Sequence, residues 1–238
     1  MSTKVKNYSD IIATDPAKST SSRRISLANR EGLPKGSLRG AGVTSKGKRR
    51  IMYFESGAEL KAQLILQARP DVREIYEQLP RVQYVDERGK HRTHTFDILA
   101  HMTNGERIAI AVKPYEVAKR KGFFEELAII APQVPQEVAD RVVLLTDRQL
   151  RGPALFKAEL IHAVRLDEDP ESDACVRAAL DQVSGSLTIA DLVARSGNKG
   201  RSFRAIVRFI ADGMLEVCTA GRIDYCTVVA RATEGVAA

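Results

Sequence analysis

The chain has 238 residues, 37 Lys and Arg against 30 Asp and Glu, and a formal net charge of +7, a length that holds one sizeable core and a smaller domain. Its three cysteines, Cys175, Cys218 and Cys226, form no Cys-x-x-Cys pair, which excludes a disulfide framework and a zinc site of the usual spacing. No apolar run is long enough to span a bilayer and the N-terminus is too polar for a signal peptide, so a soluble, cytoplasmic protein is expected.

The first fifty residues carry 12 Lys and Arg against Asp10, Asp15 and Glu31, while the other 188 hold 25 basic and 27 acidic side chains. The positive excess therefore lies wholly in this Ser-, Gly- and Thr-rich segment, which lacks helical or strand periodicity and ends in Lys46-Gly47-Lys48-Arg49-Arg50. We expect residues 1–50 to be a flexible basic arm that grips phosphate backbones through Lys48, Arg49 and Arg50, without sequence preference. A solubilising tail is the plainer alternative.

Residues 59–68 place Leu60, Leu64, Ile65 and Ala68 at helical spacing, and the helix stops before Pro70. Strands are expected at 81–85, 93–100 and 107–113, with turns at Glu87-Arg88-Gly89-Lys90 and Asn104-Gly105. A helix over 116–130, a buried strand over 142–146 and a helix over 147–162 complete a small mixed sheet covered on both faces.

The last stretch reads as a separate module. Thr188 and Asp191 suit a cap at the start of a helix, Ser196-Gly197-Asn198 is a turn, and 200–212 is a second helix closed by Gly213. Residues 214–217 and 225–229 form a hairpin, which makes a winged-helix pattern. On the second helix Phe203, Ile206, Val207 and Ile210 share one side, and Arg201, Arg204 and Arg208 the other. That arginine face suits phosphates or guanine edges in a major groove; a solvated face on a protein-docking module is the alternative.

The chemistry-bearing residues are Asp97 and Lys113 on neighbouring strands and Glu59 at the helix start. Carboxylate oxygens hold Mg²⁺ or Mn²⁺, and a lysine beside the metal steers or deprotonates a water. Strand alternation puts Thr95, Asp97 and Leu99 on one face, and Ala109, Ala111 and Lys113 on one face of the next strand. A two-residue turn would set Asp97 against Val112 and turn Lys113 away. A three-residue loop, Thr103-Asn104-Gly105 with Gly105 left-handed, sets Asp97 against Ala111 and Lys113 diagonal to it. Glu55 is the competing helix acid, and His94, on the face opposite Asp97, is read as structural. Lys119, Arg120 and Lys121 follow the lysine strand and either grip DNA or are solvated.

Glu59 in Ser-Gly-Ala-Glu-Leu, Asp71-Val72, Glu77-Gln78-Leu79-Pro80, Asp97 after His-Thr-Phe, Val112-Lys113-Pro114 and Leu144-Leu145-Thr146-Asp147 together resemble the TnsA family of transposon-end endonucleases. The resemblance covers about residues 51–165, and the module over 166–238 is similar to that family's second domain. It implies a restriction-endonuclease-like α/β fold of the PD-(D/E)XK superfamily, with a mixed sheet flanked by helices and a winged-helix C-terminal domain. It maps the catalytic residues onto Glu59, Asp97 and Lys113, with Glu59, Asp97 and the Val112 carbonyl around Mg²⁺ or Mn²⁺. It further implies a bacterial protein that cuts double-stranded DNA at the 5′ ends of a transposon, beside a DDE-type transposase and an ATPase regulator.

One position departs from the family: Glu or Gln is expected two residues before the lysine, and Ala111 stands there. Alanine cannot ligate a metal, so a second ion would lack a protein ligand. Ala111 favours one alternative, a catalytically weakened DNA-binding and scaffolding subunit of the transposition complex, and the C-terminal module suits another, a winged-helix transcription regulator.

Overall fold

The computed structural model describes residues 38–47, 49–77 and 81–232. The first 37 residues of the expected arm, Lys48 and Gln78 lie outside the described residues. The chain divides into two compact units, one taking in the residues up to Gln67 and Asp71–Arg151, the other Ala68–Pro70 and Gly152 onward.

The first unit opens with β1 (Gly40–Val43) paired antiparallel to β2 (Ile51–Phe54). The end of the expected arm is thus strand. Gly40 is required there because a Cβ would run into the Phe54 ring. Helix α1 (Gly57–Ala68) follows, and it buries Ala62, Gln63, Leu66 and Gln67 instead of the expected Leu60, Leu64 and Ile65 stripe. The reason is polar: Gln63 Nε2 donates to the Tyr53 carbonyl at 2.9 Å and Gln67 Oε1 accepts from Ser45 N at 2.8 Å, tying the helix to the first hairpin. Buried amides are retained where they satisfy backbone groups.

A four-stranded sheet forms the centre, in the order β3 (Val72–Glu77), β6 (Ile98–Met102), β7 (Arg107–Val112), β8 (Arg141–Leu145), with β7 and β8 parallel and the other pairs antiparallel. β3, which a bulge between Val72 and Glu74 removes from simple alternation, escaped the sequence reading. The strand expected over 93–100 is broken. β5 (His91–His94) pairs with β4 (Val82–Val85) in a separate hairpin, and β6 begins only at Ile98.

One face of the sheet packs Ile75, Ile98, Ile110 and Val112 against Ala62 and Leu66 of α1. The other packs Leu99, Ala109 and Ala111 against Ala118, Phe123, Leu127 and Ile130. Those last residues belong to two helices, α2 (Tyr115–Arg120) and α3 (Phe123–Ile130), where one was expected. Gly122, at φ 63°, ends the first and caps the second. The mixed sheet flanked by helices is consistent with a restriction-endonuclease-like fold.

The second unit contains α4 (Pro153–Leu166), α5 (Pro170–Asp181), β9 (Ser186–Thr188), α6 (Ile189–Ser196), α7 (Lys199–Ala211), β10 (Leu215–Val217) and β11 (Val228–Arg231). The helix expected from residue 147 starts at Pro153, because Gly152 and the proline ring fix the first turn there. Its Ile161 and Val164 pack on Val207 and Ala211 of α7, so it belongs to this unit and not to the sheet unit. The antiparallel sheet runs β10, β11, β9. Thr188 caps α6 as expected, accepting from Asp191 N at 3.1 Å and donating to its carboxylate at 2.6 Å.

Candidate active site

The loop between β6 and β7 fixes the register on which the site depends. Ile98 pairs with Ile110 and His101 with Arg107, so the three residues Thr103, Asn104 and Gly105 turn the chain, with Gly105 at φ 89°. Met102 N donates to Glu106 O at 2.8 Å and closes the loop. This is the expected register.

At the other end of β6 the ladder continues through a side chain. Asp97 N donates to Ile110 O at 3.0 Å, and Asp97 Oδ2 accepts from Val112 N at 2.7 Å. The carboxylate, one residue before β6 begins, thus takes the backbone N–H of the last β7 residue, which fixes its orientation. Asp97 is half-buried.

Lys113 follows Val112, and its backbone N–H donates to Leu145 O of β8 at 3.0 Å. Its Nζ lies 4.1 Å from the centroid of the buried Phe123 ring, a distance at which the ring face attracts the ammonium. His94 joins the same group, 4.7 Å from Phe96 and 5.7 Å from Phe123 between ring centroids. Burial lowers the His94 pKa, and the nearby Glu126 carboxylate offsets this in part while Lys113 adds to it. Glu126 also accepts from Tyr84 Oη at 2.7 Å; burial, then that carboxylate, pushes the phenol up to about 12. Phe96 and Ile98 lie in opposite core clusters. His94 therefore does not share a face with Ile98 as strand alternation requires, because the chain is not a strand between His94 and Ile98.

Glu59 has a structural task. Its Oε1 accepts from Ser56 Oγ at 2.9 Å and its Oε2 from Glu55 N at 2.8 Å, while Glu59 N donates to Ser56 Oγ at 3.1 Å. This is a capping box on α1, whose signal, Ser-x-x-Glu, stands in the sequence at 56–59. Glu55 precedes the helix and does not share its face. Among the described residues no three His, Cys, Asp or Glu side chains gather as a metal cluster. The donor chemistry at Asp97 and Glu59, hard anionic oxygen, nevertheless suits Mg²⁺ or Mn²⁺. Ala111 is 1% exposed and packed in the apolar cluster with Phe96 and Phe123, so a core methyl stands where the resemblance calls for Glu or Gln.

Two residues near the site were missed. Phe123 is separated from Lys113 by α2, and nothing in the local pattern couples them. Glu77 is 2% exposed on β3, with its Cα paired to that of Ile98, the neighbour of Asp97; the bulge in β3 hid its inward face.

The expected DNA-contacting arginines sit elsewhere. Arg50 is buried, its guanidinium 4.5 Å from the Tyr76 centroid and 3.9 Å from Glu74, a position that does not suit a phosphate contact. Arg49 is half-buried. In the second unit Arg201 grips Asp169 at 2.8 and 2.7 Å and Glu171 at 2.9 Å, Arg204 pairs with Asp167, and the buried Arg208 holds Asp173 at 2.9 and 2.6 Å. The arginine face of α7 is thus committed to the α4–α5 junction and the start of α5. A sequence read one helix at a time cannot show such a partner.

Residues 69–141 match the family described as TnsA-like endonuclease N terminal. The resemblance to TnsA endonucleases is therefore carried by a segment that holds Asp97, Ala111 and Lys113, and Glu59 lies outside it. Among curated proteins, none matches the chain. No described helix is long and apolar enough to cross a membrane.

Proposed function

We propose that this chain is a metal-dependent DNA endonuclease of the TnsA type, which cuts the 5′ ends of a transposon while a DDE-type transposase cuts the 3′ ends. The observation that supports the reading lies at the end of the β6–β7 pair away from its loop: an oriented carboxylate at Asp97 and, just after β7, an ammonium at Lys113 over the Phe123 ring, both inside the TnsA-like segment. Asp97, Glu59 and the Val112 carbonyl would hold one Mg²⁺ or Mn²⁺, which supplies charge neutralisation at the scissile phosphate and acidifies a bound water. Each Glu59 oxygen accepts one capping hydrogen bond, so a metal would take a second lone pair on an oxygen that also caps α1. The Val112 N–H fixes Asp97 from behind. Lys113, steadied over Phe123, directs its protons to a phosphate oxygen or to the attacking water.

The second unit runs helix, strand, helix, helix and two strands from α5 to β11, the order of a winged helix. With Arg208 buried and Arg201 and Arg204 ion-paired, α7 is poorly equipped to read a groove. The unit is better suited to docking the transposase or its ATPase regulator.

Ala111 favours a second reading, in which the chain binds DNA and the transposase without cutting. The test is to incubate the chain, transposon-end duplex, Mn²⁺ and the transposase of the same element, comparing wild type with Asp97→Ala and Lys113→Ala. Cleavage by wild type alone supports the nuclease. Identical products from all three sink it, and complex formation without a 5′ cut establishes the scaffold.

A further inference from the structure

Just beyond Lys113 the surface is aromatic as well as basic. Tyr115 opens α2 and Phe124 lies in the first turn of α3, with ring centroids 5.7 Å apart and planes inclined by 62°. The Arg148 guanidinium lies 3.3 Å from the Tyr115 centroid. Phe124 is 39% exposed, whereas its neighbour Phe123 is 4% exposed beneath Lys113. Consecutive phenylalanines thus face opposite ways, one steadying the lysine and the other presenting its ring to solvent.

Exposed cations lie at the end of α2, just ahead of that ring in the chain. Lys119, Arg120 and Lys121, at the end of α2, are exposed and form no salt bridge among the described residues. Arg148 is 54% exposed and, besides the Tyr115 ring, has one ion-pair partner among the described residues, Glu116 at 3.6 Å, a carboxylate itself 81% exposed. Tyr115 is held in place, its N–H donating to Asp147 Oδ1 at 2.7 Å. An aromatic face among exposed cations is the composition of a surface that binds single-stranded nucleic acid, where bases stack on rings and phosphates follow the charge.

We infer that Phe124, backed by Tyr115 and Arg148, is a stacking platform for an unpaired nucleotide next to the scissile phosphate, and that Lys119, Arg120 and Lys121 hold the adjoining backbone. The inference rests on the nuclease reading and deepens it: the preferred substrate is a duplex opened at the cut, as at a mismatch or a transposase-distorted end, over an undisturbed one. Because α2 begins two residues after Lys113 and spans six residues, about 9 Å of helix, platform and lysine lie within reach of neighbouring nucleotides.

The test uses the full chain without added metal and two duplexes of identical length, one fully paired and one carrying 2-aminopurine at a single mismatch. Wild type should bind the mismatched duplex roughly tenfold more tightly, as expected for one base on one ring, and change the 2-aminopurine emission. Phe124→Ala should lose both the preference and the emission change, and Phe124→Trp should keep both. The double variant Lys119→Glu, Lys121→Glu should weaken both duplexes and flatten the salt dependence, with the preference intact. Equal binding of the two duplexes by wild type, or an unaltered preference in Phe124→Ala, overturns the platform. So does a Phe124→Ala protein that keeps its DNA preference but no longer binds the transposase, which would make this face a protein interface. Failure of the nuclease reading has its own signature: the preference persists while Mn²⁺ produces no cut.

Discussion

Lys113 is placed by a residue ten positions away. The Phe123 ring supports its ammonium at 4.1 Å, and an interaction of this kind is worth about 0.5–2 kcal/mol. Replacing Phe123 with Leu removes the π face and keeps most of the apolar volume. The expected outcome is a roughly tenfold fall in kcat for DNA cleavage with KM nearly unchanged, reversed by Phe123→Tyr, because the lost interaction acts on the lysine and not on DNA binding. Equal rates for Phe123→Leu and wild type would show that the ring does not position Lys113. At this scale the sequence was legible where parity decides. A loop of three residues gives the register expected for Asp97 and Lys113, and a two-residue turn would not. It was illegible where one side chain serves two readings: Glu59 looks like a metal ligand and behaves as a cap, although Ser56 three residues earlier carries the signal.

Elements were read correctly where periodicity was strong and misread where a glycine or a side-chain bond interrupts it. Gly122 splits one expected helix, and the Asp97 carboxylate stands in for backbone just before β6 begins. The clearest case is α7, whose arginine face resembled a DNA reader because its acidic partners lie some thirty residues upstream. Those partners have a measurable consequence. Asp169 caps α5, accepting from Ser172 N at 3.2 Å, and the hydrogen-bonded Arg201 guanidinium lowers its carboxyl from the ordinary 3.8 to about 2. A carboxyl lowered on folding contributes stability that is complete above the unfolded value, near pH 4, and is lost as pH falls through about 2. Asp169→Asn keeps the cap and removes the charge, so it should melt below wild type at pH 7 and converge with it near pH 2. Asp169→Ala also loses the cap and should lie about 1 kcal/mol lower still at neutral pH. Melting curves of the three proteins that stay parallel between pH 7 and pH 2 would show that the pair does not stabilise the fold.

Across the whole molecule the boundary between units is the feature that sequence periodicity placed wrongly for packing reasons. Helix α4 follows the last strand of the sheet unit and looks like its closing helix, as a β-strand followed by a helix commonly is. Its apolar residues decide otherwise: Ile161 and Val164, at 1% and 2% exposure, are buried with Val207 and Ala211 of α7. A fragment beginning at residue 152 keeps that contact, and one beginning at residue 166 opens the α7 surface to water. Each aliphatic side chain removed from such a site costs about 2–4 kcal/mol, and a small domain is marginally stable to begin with. The fragment 152–238 should therefore give a cooperative thermal transition by circular dichroism. The fragment 166–238 should melt at least 10 °C lower, as roughly 2 kcal/mol implies for a domain of this size, or fail to fold. Equal transitions would return α4 to the sheet unit and restore the boundary near residue 165. The distinction bears on the proposed docking role, because this unit can be expressed and assayed by itself only if it carries the helix that completes its core.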